Sequence, residues 1–89
     1  MARYGAHSRE LGELAAEAGM PDALFELGLM YCSGRGVRPD LVEAHKWFNL
    51  AAVSGYEEAA QCRADISEEM TAREIAEAQR RAREWLAAT

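Results

Sequence analysis

The sequence predicts an all-α domain of stacked helical hairpins, with about five helices in one domain over residues 1–89. Two observations carry this prediction. The triplet Leu14-Ala15-Ala16 returns as Leu50-Ala51-Ala52 and as Leu86-Ala87-Ala88, each time 36 residues later. Between these triplets, glycine and proline divide the chain into segments of helix length. A helical hairpin repeat explains both observations.

The first breaks in the chain delimit two helices and a loop. Ser8 is a candidate cap for a short helix that ends near Ala18, and Gly19 supplies the left-handed stop that follows a helix. Pro21 is tolerated only in a first turn, so the next helix is predicted from there to about Cys32. The segment Ser33–Pro39 contains two glycines and a proline, which predicts a compact loop.

The second half of the chain carries two capping signals. Asp40 followed by Glu43 predicts a capping box that begins the next helix, and Gly55 is expected to end that helix. A further helix is predicted over residues 57–68. The pair Thr71 and Glu74 predicts a second capping box, which begins a last helix that reaches the C-terminus.

The distribution of apolar residues predicts how the helices pack. The segment 23–32 has Glu26 as its only charge, so this helix is expected to be central and covered by the N-terminal and C-terminal helices. In the third unit Met70 and Ala72 replace the loop glycines, which predicts a tighter turn and a capping role. The last helix carries one apolar stripe, formed by Ile75, Ala78, Ala82, Trp85 and Leu86.

Composition and charge narrow the classes of function. Apolar residues make up 49% and charged residues 28%, which is typical of a folded chain. The net charge of -5 disfavours nucleic acid as a partner. With no long apolar segment and no apolar leader, a cytoplasmic location without membrane insertion is expected. Cys32 and Cys62 form no C-x-x-C pair, so two buried thiols are expected rather than a structural disulfide.

The residues of the middle unit resemble the signature of the Sel-one-like repeat, a relative of the tetratricopeptide repeat. The resemblance covers one nearly complete unit, residues 19–55, and implies a short α-α superhelix. The chain then divides into an N-terminal partial repeat or cap at 1–18, a complete repeat at 19–54 and a divergent C-terminal repeat or cap at 55–89. The matching residues are Ala23, Leu27-Gly28, Tyr31, Gly34-Arg35-Gly36-Val37, Asp40, Ala44, Lys46-Trp47-Phe48, Ala51-Ala52 and Gly55.

The resemblance implies function by recognition. The chain is expected to be a protein–protein interaction module, or a small accessory or adaptor subunit that docks on a larger protein. In the tetratricopeptide relative the first helix of each pair lines a concave groove, and the matching positions are Asp22, Phe25, Leu29 and Cys32. The competing interpretation is that this stripe is ordinary core, covered by the third helix or by the chain's own caps. Partner identity is not implied.

Signals for chemistry are weak, so no enzyme activity, cofactor or metal is expected. His7 and His45 are the only histidines, and no metal-ligand spacing is present, so His45 is interpreted as a surface or hydrogen-bonded residue. Three acidic residues at 10, 13 and 17 suit a solvated helix face better than acid–base catalysis. The segment Gly34-Arg35-Gly36 has amides for an anion but lacks a phosphate-loop pattern.

Two alternatives belong to other classes of function. One is a self-associating structural protein that pairs with a second copy through Val53, Tyr56 or Trp85. The other is a weak binder of RNA or another anion through the last helix, whose arginines alternate with glutamates that cancel most of the field. Those arginines are Arg73, Arg80, Arg81 and Arg83.

Overall fold

The computed structural model describes residues 19–88, and over that range the chain is all-α. This confirms the predicted fold class. The helix expected over residues 8–18 lies outside the described residues. The four described helices are α1 (Pro21–Ser33), α2 (Leu41–Val53), α3 (Glu57–Ser67) and α4 (Ala72–Ala88).

The turn between α1 and α2 requires glycine at position 34. Gly34 has φ 78°, and its N–H donates to the Met30 carbonyl at 2.8 Å, which closes the end of α1. A Cβ at this position would lie 2.5 Å from Cγ of Pro39. The turn therefore needs glycine both for its left-handed backbone and for its close approach to the proline.

The two predicted capping boxes differ. At α4, Glu74 N–H donates to Thr71 Oγ1 at 3.1 Å and Thr71 N–H donates to Glu74 Oε1 at 2.8 Å, so this box is complete. At α2, Glu43 N–H donates to Asp40 Oδ1 at 3.1 Å, but the Glu43 carboxylate makes ion pairs instead of the return bond. The prediction of a full box there was wrong, because the Asp40 N–H already donates to the Tyr31 carbonyl and the Glu43 carboxylate is held by two cations.

The central helix of the described bundle is α2. It packs against α1, α3 and α4, whereas the prediction placed the helix of residues 23–32 at the centre. That helix, α1, buries only Leu24, Leu27 and Gly28 in the described structure. A helix rich in apolar residues can leave part of its surface half-covered, so composition alone did not identify the centre. The buried residues of α2 are Ala44, His45, Trp47, Phe48, Leu50 and Ala51.

The crossing of α1 over α2 depends on a missing side chain. A Cβ at Gly28 would lie 2.4 Å from Cδ1 and 2.5 Å from Cε1 of the Phe48 ring. Side chains do not approach this closely, so the two helices pack only because position 28 is glycine. Gly28 is one of the residues that carry the resemblance to the repeat, and this contact gives it a packing role.

The repeated triplet does not have the same burial in each unit. Leu50 is 2% exposed near the end of α2, whereas Leu86, at the same place in α4, is 52% exposed. Leu86 was therefore wrongly assigned to the buried stripe. The difference arises because α3 follows α2 and packs on it, while no described helix follows α4. The first copy of the triplet lies outside the described residues.

Candidate protein-binding face

The four residues predicted to contact a partner lie along one side of α1, at steps of 3, 4 and 3 residues. Asp22 and Cys32, at the two ends of this stripe, are exposed, and Phe25 and Leu29 between them are half-buried. We call these four residues the α1 stripe. Its middle combines apolar surface with partial solvent access.

Phe25 has a role in the core as well as on the surface. Its ring stacks on Tyr56 with centroids 4.4 Å apart and planes 17° apart, and it lies 5.6 Å from the ring of Phe48. It thus joins α1 to α2 and to the residue that caps α3. Replacement of Phe25 would disturb the fold together with any binding surface.

The carboxylates of α1 and α3 make few ion pairs. Among the residues that the structure describes, Asp22 of α1 accepts only the adjacent Ala23 amide, at 3.2 Å, and Glu26 lies 3.7 Å from an exposed Arg35. At the start of α3, Glu57 and Glu58 are exposed and make no ion pair with any described residue. These two helices therefore present net negative charge.

The carboxylates on α2 and the middle of α4, in contrast, are neutralised within the protein. Glu43 of α2 contacts Lys46 at 3.0 Å and Arg81 of α4 at 2.7 Å. Glu77 accepts from Arg80 at 2.5 Å and from Arg81 at 2.8 Å, and these bonds lower its pKa to about 2. In the described domain, net negative charge thus lies on α1 and α3, whereas the carboxylates of α2 and of the middle of α4 are paired with cations.

The same contacts weaken both anion-binding interpretations. The bonds to Glu77 raise the pKa of Arg80 and of Arg81, so these two guanidinium groups are committed to partners inside the protein. In the glycine loop, the N–H groups of Gly34 and Arg35 both donate to the Met30 carbonyl. Amides that close a helix end are not directed at an external anion.

An aromatic junction between α2 and α4 was not predicted. Trp47 and Trp85 meet edge to face with centroids 4.8 Å apart, and Lys46 Nζ lies 3.9 Å from the centroid of the Trp47 ring. The apolar stripe of the last helix included Trp85, but nothing in one sequence identified its partner. This junction and the adjacent ion pairs fasten α4 to the central helix.

His45 is buried rather than on the surface, with 2% of its area exposed. Ser67 Oγ donates to the Arg63 carbonyl at 2.7 Å, so it accepts from His45 Nε2–H at 3.1 Å. His45 Nδ1 is buried with no partner among the described residues. The pKa of His45 is lowered, mainly by burial and to a smaller extent by the positive charge of Arg63.

This polar pair is not arranged for nucleophilic catalysis. A serine nucleophile must direct its proton to the histidine, but Ser67 directs it to a backbone carbonyl. No described carboxylate hydrogen-bonds to His45 to orient the ring. The arrangement holds α3 against α2 instead.

The remaining candidates vary in exposure. Val53 is 66% exposed, whereas Tyr56 and Trp85, also considered for self-association, are half-buried in ring contacts. Cys32 is exposed and Cys62 is half-buried, so the expectation of two buried thiols was wrong. Cys32 lies in α1 and Cys62 in α3.

The described residues also bear on metal binding and on membrane insertion. Over residues 19–88, no cluster of three or more histidine, cysteine, aspartate or glutamate side chains is arranged to hold a metal ion. None of the four helices combines the length and the apolar character needed to cross a membrane.

Comparison with known proteins identifies the repeat. The family model for the Sel1 repeat matches residues 21–56, which comprise α1, α2 and the turn that follows them. No curated protein matches the chain. Sel1 repeats generally mediate protein–protein interaction. Residues 21–56 of this chain therefore form a Sel1 repeat, and α3 and α4 pack on the second helix of that repeat.

Proposed function

We propose that this chain is a non-catalytic adaptor or accessory subunit that docks on a larger protein in the cytoplasm through the α1 stripe. The observation that carries the proposal is a partly exposed apolar centre, Phe25 and Leu29, on the first helix of the Sel1 repeat. Apolar side chains in a groove are the usual anchors for a partner's helix or extended segment. The exposed Asp22 and Cys32 at the ends of the stripe would form the polar rim around this centre.

The charge of the surrounding helices supports a particular kind of partner. Asp22 and Glu26 on α1, together with Glu57 and Glu58 on α3, are exposed. A segment with apolar side chains flanked by lysine or arginine would bury its apolar groups on the stripe and complement these carboxylates. Association should therefore weaken as salt is raised, since exposed charges are screened.

The partner is best found by co-purification from the native cell, followed by mass spectrometry. The affinity of the identified partner is then measured for two leucine variants. Leu29→Ala removes apolar surface from the α1 stripe, and Leu86→Ala removes the same atoms from an exposed position on α4. Loss of affinity for the first variant alone, beyond any change in thermal stability, supports the proposed face.

A second pair of variants tests the charge. Asp22→Lys reverses an exposed charge on the stripe, and Arg73→Glu reverses one on α4. The first is expected to weaken binding, and the second should leave it unchanged. Equal effects of the two leucine variants, or of the two charge variants, would show that the partner binds elsewhere on the chain.

Self-association is the second candidate, and the exposed Val53 and Leu86 favour it. Light scattering on the purified chain separates a monomer from a dimer directly. A dimer that Val53→Ser dissociates would support a structural role for these residues.

A further inference from the structure

One of the two cysteines lies on α1, which carries the proposed binding face, and the other lies on α3. Cys32 is in the last turn of α1 and is exposed, and Cys62 is on α3 and is half-buried against the core. Both are free thiols in the structure.

The topology makes α1 and α3 parallel neighbours. His45 and Asn49 of α2 contact Ser67 and Arg63 of α3, in that order, so these two helices are antiparallel. The short loop that joins α1 to α2 reverses the chain, and Asp40 N–H donates back across it to the Tyr31 carbonyl at 3.0 Å. Two helices that each run opposite to α2 run in the same direction.

An aromatic contact sets the relative height of α1 and α3. Phe25 stacks on Tyr56, which follows it by 31 residues, and Cys62 follows Cys32 by 30 residues. Each residue advances an α-helix by the same distance along its axis. Two pairs of residues on parallel helices that have nearly the same difference in residue number are therefore both side by side. The cysteine pair is thus placed about two turns beyond the aromatic pair.

The electrostatics agree with this placement. Burial raises the pKa of the Cys62 thiol, and the neighbouring Asp65 and Cys32 add to the effect. Because the interaction between two charges falls with distance, an effect of Cys32 on Cys62 agrees with the register that the aromatic pair sets.

We propose that Cys32 and Cys62 form a disulfide that joins the C-terminal turn of α1 to α3 when the chain is oxidised by a peroxide. The peroxide oxidises Cys32 first, because this thiol is exposed. The S–O bond forms as the O–O bond breaks, and one water is released. The Cys62 thiolate then attacks the Cys32 sulfur, so that the S–S bond forms, the S–O bond breaks and a second water leaves. Two thiols lose two electrons to one peroxide.

The disulfide would act on the face described under the proposed function, and this consequence rests on that function. Cys32 is one end of the α1 stripe. A cross-link brings the two Cα atoms within about 7 Å, which draws the end of α1 onto α3 and narrows the gap between the helices. Oxidation is expected to weaken partner binding, and reduction by a dithiol is expected to restore it.

The test treats the full chain with one equivalent of hydrogen peroxide, blocks the remaining thiols with an alkylating agent and measures the intact mass. The expected product is a monomer that has lost two hydrogen atoms and takes up no alkyl group. Cleavage by trypsin after Arg35 and Lys46 puts the two cysteines on separate peptides, so the linked pair is identified directly. Formation should be faster at higher pH, since Cys62 attacks as its thiolate.

Two serine variants provide the controls. In Cys62→Ser, the sulfenic acid on Cys32 should persist and be trapped by dimedone. In Cys32→Ser, the half-buried Cys62 should react more slowly and give no cross-link. Formation in the native chain should also be faster than in a denatured chain, because folding raises the effective concentration of the thiols.

Several results would overturn the inference. They are two alkylated thiols after peroxide treatment, a disulfide-linked dimer as the main product, or equal rates in the folded and the denatured chain. If the internal disulfide forms but leaves partner affinity unchanged, the disulfide stands, and the assignment of the binding face to the α1 stripe is wrong.

Discussion

Substitution of Gly28 by alanine tests the packing of the Sel1 repeat most directly. The added methyl would lie 2.4 Å from the Phe48 ring, which is 1% exposed and has no space into which to move. Overpacking of a core costs about 1–3 kcal/mol, and a contact this short, against a rigid ring, belongs at the upper end of that range. Alanine returns about 1 kcal/mol through its better helix propensity.

The expected net loss of unfolding free energy is therefore about 2 kcal/mol. For a chain of this size, each kcal/mol changes Tm by roughly 4–8 °C, so Tm should fall by about 10 °C or more. Circular dichroism measures both quantities, through a thermal melt and a urea titration of the full chain.

Phe48→Leu provides the matched variant. Alone it should destabilise the chain by about 1–2 kcal/mol, since it leaves a cavity against α1. Combined with Gly28→Ala, it provides space for the new methyl, so the double variant should be more stable than the sum of the two single effects implies. If Gly28→Ala is neutral or stabilising, or if the two effects add, the close approach of α1 and α2 is not what position 28 controls.

Three further predictions follow from the polar contacts. Burial lowers the pKa of His45, so the unfolded chain takes up a proton more readily than the folded chain as the pH falls below about 6.5. The free energy of unfolding should therefore decrease below that pH. His45→Asn should reduce this dependence of stability on pH, as measured by urea titrations at several pH values. Glu43→Gln removes the carboxylate that pairs with Lys46 and one of the two that pair with Arg81, so it should cost about 1–2 kcal/mol, whereas Glu84→Gln, at a more exposed pair, should cost less than about 0.5 kcal/mol in the same titrations. Thr71→Ala removes one half of the complete capping box and should lower stability by about 1 kcal/mol, and a Tm unchanged by this substitution would contradict the assigned cap.

The order and limits of the helices were largely predictable, because their signals are local. Proline at the start of α1, glycine after it and the pair Thr71 and Glu74 act through their own backbone or through residues within one turn. Such contacts are encoded by short spacings in the sequence. The small-residue position at Gly28 also had a local signal, since it interrupts an otherwise bulky helix.

The candidate site was only partly predictable. The positions of the α1 stripe follow from the repeat, but their exposures depend on which other helix covers each one. Phe25 is held between two rings from other elements, whereas Cys32, seven residues further on, is exposed. Helical periodicity is the same for both, so it could not distinguish them.

The sequence by itself determined the all-α class, the hairpin repeat and most of the helix ends. Only the tertiary structure decided that α2 is central, that His45 is buried and that Glu43 pairs with Arg81. The physical reason is the range of the interactions. Caps and turns are satisfied within a few residues of chain, whereas burial and ion pairing between helices depend on groups brought together from distant positions, 38 residues apart for Glu43 and Arg81.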